Sequence, residues 1–201
     1  MSWIRIVPFA EARGKLLRLY NRVKGPEDNV DNIMLAHSLR PHSMEGHMTM
    51  YKNVLHHTGN SIPKWFLEAL GVYTSMTNQC SYCVEHHYLG MARLVNDTSR
   101  AELIRLALQS DDLAEVFDEK QTAALRYANK LTTMPGEMQE PDVQLLRTVG
   151  WEDGEILEIN QVVAYFNFAN RTVLGLGVCS DGDIIGLSPN NSDDPDNWNH
   201  V

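Results

Sequence analysis

Cysteine is scarce in this chain: three residues in 201, at positions 80, 83 and 179. So odd and low a count excludes the disulfide framework of a small secreted domain. Basic residues are also few, with 17 Lys and Arg against 26 Asp and Glu and a net charge of −9. An acidic surface repels phosphate, which argues against nucleic acid and against anionic membranes as partners. No apolar run approaches the roughly 20 residues that span a bilayer. The opening MSWIRIVPFAEARGK carries neither the apolar stretch nor the small-residue cleavage site of a secretory signal. The expected location is cytoplasmic. Strand signals are nearly missing too, because the β-branched runs are short and none alternates cleanly.

What is present is helical spacing. Hydrophobic residues make up 43% of the chain, enough for a buried core in one domain of this length. Leu16, Leu17, Leu19, Tyr20 and Val23 form an apolar stripe at helical period, broken by Gly25-Pro26. Further helices are predicted over 31–39, 41–57, 63–77, 80–95, 100–109, 119–131 and 140–150, with one long apolar helix over 153–176. Proline suits the first turns at positions 41, 63 and 141, and Asp97 is placed to cap the helix that follows it. The expectation is an all-α, multi-helix bundle of about eight to ten helices. It occupies residues 1–178 as a single domain, and 179–201 form a C-terminal tail rich in Asn, Asp and Pro. That tail is expected to be extended or disordered unless Ile184, Ile185, Leu187 and Trp198 dock.

Two of the three cysteines stand in a C-x-x-C, within Cys80-Ser-Tyr82-Cys83-Val-Glu-His86-His87. At a helix N-terminus this spacing brings the sulfurs within bridging reach, and free N–H groups favour a thiolate. Only the thiolate attacks a peroxide or a disulfide. His86 and His87 follow Cys83 by three and four residues, so an imidazole can take the thiol proton and return it to a leaving oxygen. Adjacent residues on a helix point about 100° apart, so one of the pair is expected to face elsewhere, and His87 is preferred.

Glu68 enters by a geometric argument. One continuous helix would leave it about 18 Å from Cys80. A turn near Asn78-Gln79 makes two antiparallel helices instead, with Glu68 about 15 Å before the turn and His87 about 12 Å after it. The two then meet at similar depth. A carboxylate orients an imidazole that addresses a thiol, as in a Cys-His-Glu triad. Two other readings remain open at this point: a zinc site, which needs ligands from separate elements such as His56-His57, and inert core thiols. Tyr82 reads as packing with a hydroxyl able to join a relay, and Cys179 as a free thiol. Asn167, Asn170 and Arg171, polar in an apolar helix, are expected to bond neighbouring helices.

An acid, twelve residues, C-x-x-C and a His four residues on resembles the motif of the alkylhydroperoxidase D and carboxymuconolactone decarboxylase superfamily. TNQCSYCVEHH, ALRYANKLTTMPGEMQEPDVQLLRTVGW and ILEINQVVAYFNFANRTVLGLGV resemble its peroxidase-related branch, over about residues 41–178. The resemblance implies an all-helical homo-oligomer with no cofactor. It implies Cys83 as the peroxide-attacking thiolate, Cys80 as the resolving thiol, and Glu68 with His87 as the proton relay. The founding peroxidase has a histidine where this chain has Tyr82, which leaves His86 as the candidate replacement.

The expected activity is that of a thiol-dependent peroxidase, peroxiredoxin-like and antioxidant. It would reduce hydrogen peroxide or organic hydroperoxides, with electrons from an external dithiol reductant. The alternatives are a dithiol-disulfide oxidoreductase acting on protein or lipoyl disulfides, and a non-catalytic redox-sensing helical oligomer.

Overall fold

A computed structural model describes residues 2–187 and 197–198. Among them are nine α-helices and no strand: α1 Gly14–Val23, α2 Asn32–Ala36, α3 Pro41–Leu55, α4 Lys64–Thr77, α5 Ser81–Val95, α6 Thr98–Ser110, α7 Glu119–Thr133, α8 Glu140–Thr148 and α9 Asp153–Leu176. The helical segments read from the sequence all recur, with shifted ends. Residues 9–11 form a separate 3₁₀ turn ahead of α1.

The helix starts follow from their side chains. Asp97 accepts from the Arg100 N–H at 3.0 Å and caps α6. Asp118 with Gln121 forms a reciprocal capping box at α7, and Glu152 with Glu155 does the same at α9. The start of α4 is served from a distance. Glu158, on α9, accepts from the N–H groups of Ser61 at 2.8 Å and Ile62 at 3.0 Å. That carboxylate meets the positive end of α4 and ties it to α9.

Helix α4 is the hub. Every residue from Phe66 to Ser75 is buried, a helix enclosed on all sides. Its most extensive partner is α5, and α9 and α7 cover its other faces. The turn between α4 and α5 uses Asn78 in a helical conformation and Gln79 at φ 57°, so the chain reverses within three residues. The antiparallel pairing expected from the rise arithmetic is therefore present.

Two stretches of α9 fix this turn. Asn78 Nδ2 donates to Asn167 Oδ1 and Asn170 Oδ1, each at 3.0 Å, and Asn170 Nδ2 donates to Ser75 Oγ at 3.0 Å. Asn167 is held in turn by Arg171 at 2.6 Å and donates to Thr132 Oγ1 at 3.1 Å. The polar residues of the apolar helix bond neighbouring helices, and buried polar groups are satisfied in doing so.

Close approach of α4 and α9 requires Gly71. A Cβ there would stand 2.0 Å from the Phe166 ring. After α9, Gly177 in the left-handed region ends the helix. Residues 179–187 contain no helix; Asn32 of α2 bonds Cys179, Asp181 and Asp183, and Gly186 packs against Leu89 of α5. Ile184 and Ile185 stay partly exposed, whereas Trp198 is buried with the Arg22 guanidinium 3.4 Å above its ring. The rest of the expected tail, 188–196 and 199–201, lies outside the described residues.

Two glycine substitutions should diverge. Gly71→Ala must displace Phe166 and is expected to lose about 1–3 kcal/mol of stability, the usual cost of overpacking. Gly46→Ala, on exposed helix surface with nothing within 4 Å of the new Cβ, is expected to gain up to about 1 kcal/mol from helix propensity. Urea titration of both proteins measures the difference.

Candidate active site

The α4–α5 turn delivers the two thiols. Cys80 is the N-cap residue of α5 and Cys83 sits in its first turn. Both are free thiols, and both are buried. They are not equivalent. Cys80 has no exposed surface and packs beneath the site against Ala36, Val173 and Val178. Cys83 lines a small cavity of about 50 Å³. That volume admits one or two water-sized groups and little more.

The two sulfurs shift each other's acidity. Cys80 is lowered below the ordinary thiol range, first by the neighbouring Cys83 thiol, against burial and with help from Asn170. Cys83 is raised well above it, first by the neighbouring Cys80 and then by burial. The lowering that a helix end favours therefore falls on Cys80, and the cavity-facing sulfur is the raised one.

His87 lines the same cavity, and its Nδ1 lies 2.7 Å from Oε2 of Glu68. The carboxylate accepts, so Nδ1–H donates and Nε2 is left for the cavity. The Glu68 side chain is 1% exposed and comes from the middle of α4. Its other oxygen, Oε1, stands 3.5 Å from Nε2 of His56, just beyond α3. Phe166 meets the His87 ring edge-to-face at 4.5 Å, so the contact that requires Gly71 also braces the imidazole.

His86 also lines the cavity, alongside Tyr82. The expectation that one of the adjacent histidines would face elsewhere is corrected here. The cavity wraps around Cys83, and side chains three and four residues on reach its two sides. Tyr82 stacks on His86 with ring centroids 4.4 Å apart, and its hydroxyl donates to Asp183 at 2.7 Å. Burial, then Asp31 and Asp183, push the Tyr82 phenol well above its ordinary range. It stays protonated and donates.

The sequence reading gave the remaining lining no role in the site; Met48 and Tyr51 read there as the apolar side of their helix. His47 and Tyr51 come from α3, Tyr165 from α9, and Met34 and Met48 supply sulfur-bearing walls. Burial, then His37 and His87, lower His47 to about 3. It is therefore neutral, with Nε2 3.2 Å from the Tyr165 hydroxyl and Nδ1 without a hydrogen-bond partner. Burial first, with Glu68 nearby, raises Tyr51 and Tyr165 well above the ordinary phenol range. Scattered His and Tyr with no motif spacing gave no sequence signal. Among the described residues no group of three or more His, Cys, Asp and Glu side chains is arranged to hold a metal ion.

The fold and these positions together define an alkylhydroperoxidase D-like fold. The chain is similar to the alkylhydroperoxidase AhpD core of an uncharacterized peroxidase-related protein from Ralstonia eutropha JMP134. That match has TM-score 0.73 and 22% identity, and covers 89% of this chain and 91% of that one. An uncharacterized peroxidase-related protein from Silicibacter sp. TM1040 matches at TM-score 0.72 and 23% identity, with coverage of 89% and 91%. The debrominase Bmp8, in complex with 2,3,4-tribromopyrrole, matches at TM-score 0.64 and 17% identity, covering 82% of each chain. The fold therefore hosts more than one activity. No protein-family model matches the sequence, and no curated protein does. No helix of the described residues is long and apolar enough to cross a membrane.

The buried neutral His47 has a consequence for stability. Its folded value lies below the ordinary 6.5, so the unfolded chain binds the extra proton as pH falls. Its contribution is complete above pH 6.5 and is lost progressively toward pH 3. His37, lowered by burial, acts in the same sense. Urea titrations at pH 7 and pH 4.5 should show wild type losing about 2 kcal/mol more than His47→Gln. Parallel losses would contradict the assignment.

Proposed function

We propose that this chain is a thiol-dependent peroxidase that reduces hydrogen peroxide or small organic hydroperoxides. The observation that carries the proposal is the buried Glu68–His87 pair at the same cavity as Cys83, with the Cys80 thiol buried in the same cluster as Cys83.

In this reading His87 takes the Cys83 proton through Nε2 while Glu68 holds Nδ1. The thiolate attacks the terminal oxygen of the peroxide. An S–O bond forms and the O–O bond breaks, sulfur is oxidised to the sulfenic acid, and an alkoxide or hydroxide leaves and is protonated. Cys80, already lowered, then attacks the Cys83 sulfur. A disulfide forms and the sulfenic oxygen departs as water. An external dithiol reduces the disulfide and restores both thiols. No cofactor enters the cycle, and the chain acts as a homo-oligomer as the resemblance implies.

The size of the cavity favours a small oxidant, because about 50 Å³ has no room for a bulky chain. It also weighs against a protein or lipoyl disulfide as first substrate, since Cys83 is only 3% exposed. The Bmp8 likeness supports a second reading, reductive dehalogenation by the same thiols, for which the aromatic lining of the cavity is the favouring observation.

Stopped-flow mixing of reduced protein with hydrogen peroxide tests the proposal. Cys83→Ser is expected to abolish rapid consumption, and Cys80→Ser to consume one equivalent and accumulate a trappable sulfenate. Both variants reacting like wild type would overturn it. His87→Ala should slow the reaction about 100-fold near neutral pH. The raised Cys83 loses its own proton as pH climbs, so that deficit should narrow in alkali. Equal slowing at both pH values would remove His87 from the role of base.

A further inference from the structure

A second imidazole at the cavity stands beside a second buried carboxylate. Asp183 belongs to the segment after α9, and its side chain is 2% exposed. Its Oδ2 accepts from the Tyr82 hydroxyl at 2.7 Å and stands 3.4 Å from His86 Nε2. The Asn32 N–H donates to Oδ1 at 3.0 Å and to Oδ2 at 3.2 Å. The segment is fixed on either side of it. Asn32 Nδ2 donates to the carbonyls of Cys179 at 2.8 Å and Asp181 at 3.0 Å, and Gly186 packs so closely that a Cβ would stand 2.7 Å from Leu89.

Cys83 thus shares its cavity with two histidines. His87 hydrogen-bonds through Nδ1 to Glu68 of α4, whereas His86 Nε2 stands at ion-pair distance, 3.4 Å, from Asp183 of the terminal segment without a hydrogen bond. The two rings turn different nitrogens to their carboxylates. The other titratable groups at this cavity are Asp31, His47, Tyr51 and Tyr165, with Tyr82 stacked on His86.

We propose that Asp183 positions His86 as the proton donor to the leaving oxygen of the peroxide, a task separate from proton removal by His87. The proposal rests on the peroxidase reading. When Cys83 sulfur forms its bond to the terminal oxygen and the O–O bond breaks, the departing alkoxide takes a proton from the ring nitrogen of His86 that does not face Asp183. The thiol proton resides on His87 and returns to His86 through solvent, so the cycle conserves protons. Asp183 touches no reacting atom and acts through His86.

A leaving-group comparison tests this on the full chain. Hydrogen peroxide and tert-butyl hydroperoxide expel strongly basic oxyanions and need a donor. Peracetic acid expels a carboxylate and does not. H86Q and D183N are each expected to slow reaction with hydrogen peroxide about 100-fold while slowing peracetic acid by about threefold or less. The double variant should be no slower than H86Q.

An equal fall with both oxidants, or no fall with hydrogen peroxide, would overturn the proposal while leaving the peroxidase reading intact. Wild type inert toward all three oxidants would remove both. H86Q preserves the Asp183 bonds to Tyr82 and Asn32, so it reads the donor without disturbing the anchor. A D183N protein that loses its helical circular-dichroism signal counts against the positioning role, since the carboxylate would then serve the fold first.

Discussion

The site depends on a carboxylate enclosed in the centre of the molecule. Glu68 lies on the most completely buried helix of the bundle, where an unpaired charge is costly by several kcal/mol. His87 donates to one oxygen at 2.7 Å, and the other oxygen stands 3.5 Å from His56 Nε2 without a hydrogen bond. A carboxylate so confined cannot relax toward water. The imidazole it holds is therefore confined as well, and Cys83, one turn earlier on the same helix, shares that rigidity. Helix α9 completes the arrangement by bonding the α4–α5 turn through Asn167 and Asn170 and by bracing the His87 ring through Phe166.

Within this frame the two sulfurs differ. Cys80, with no exposed surface, is lowered; Cys83, at the cavity, is raised. Buried neutral His47 and the high-lying phenols of Tyr51 and Tyr165 add hydrogen-bonding capacity without adding charge.

Much of this was legible in the residues, and the reason is local. The helices announce themselves by apolar period and by Asp, Gln and Pro at their starts. The Glu68–His87 encounter follows from counting rise on either side of a two-residue turn, because an antiparallel hairpin converts sequence separation into depth. His86 was misjudged because an adjacent pair on a helix diverges by about 100°, and a cavity that surrounds one cysteine can still receive both. Asp183 and His47 were not visible at all. Each reaches the site through long-range packing, one from 100 residues beyond Cys83 and one from α3, and no spacing rule links them to the C-x-x-C. The direction of the thiol shifts was hidden for a related reason: it depends on which sulfur faces the cavity, a tertiary fact.

The fold alone does not select among chemistries, since structures of the same architecture include peroxidase-related proteins and a debrominase. The central claim is narrower and physical: Glu68 fixes the His87 tautomer so that a bare nitrogen addresses the thiol pair. Nitrogen NMR of selectively labelled histidine reads this directly. The neutral His87 ring is predicted to carry its proton on Nδ1, with an Nε2 resonance that moves when the dithiol is oxidised. A ring protonated on Nε2 and indifferent to the state of the thiols would contradict the account.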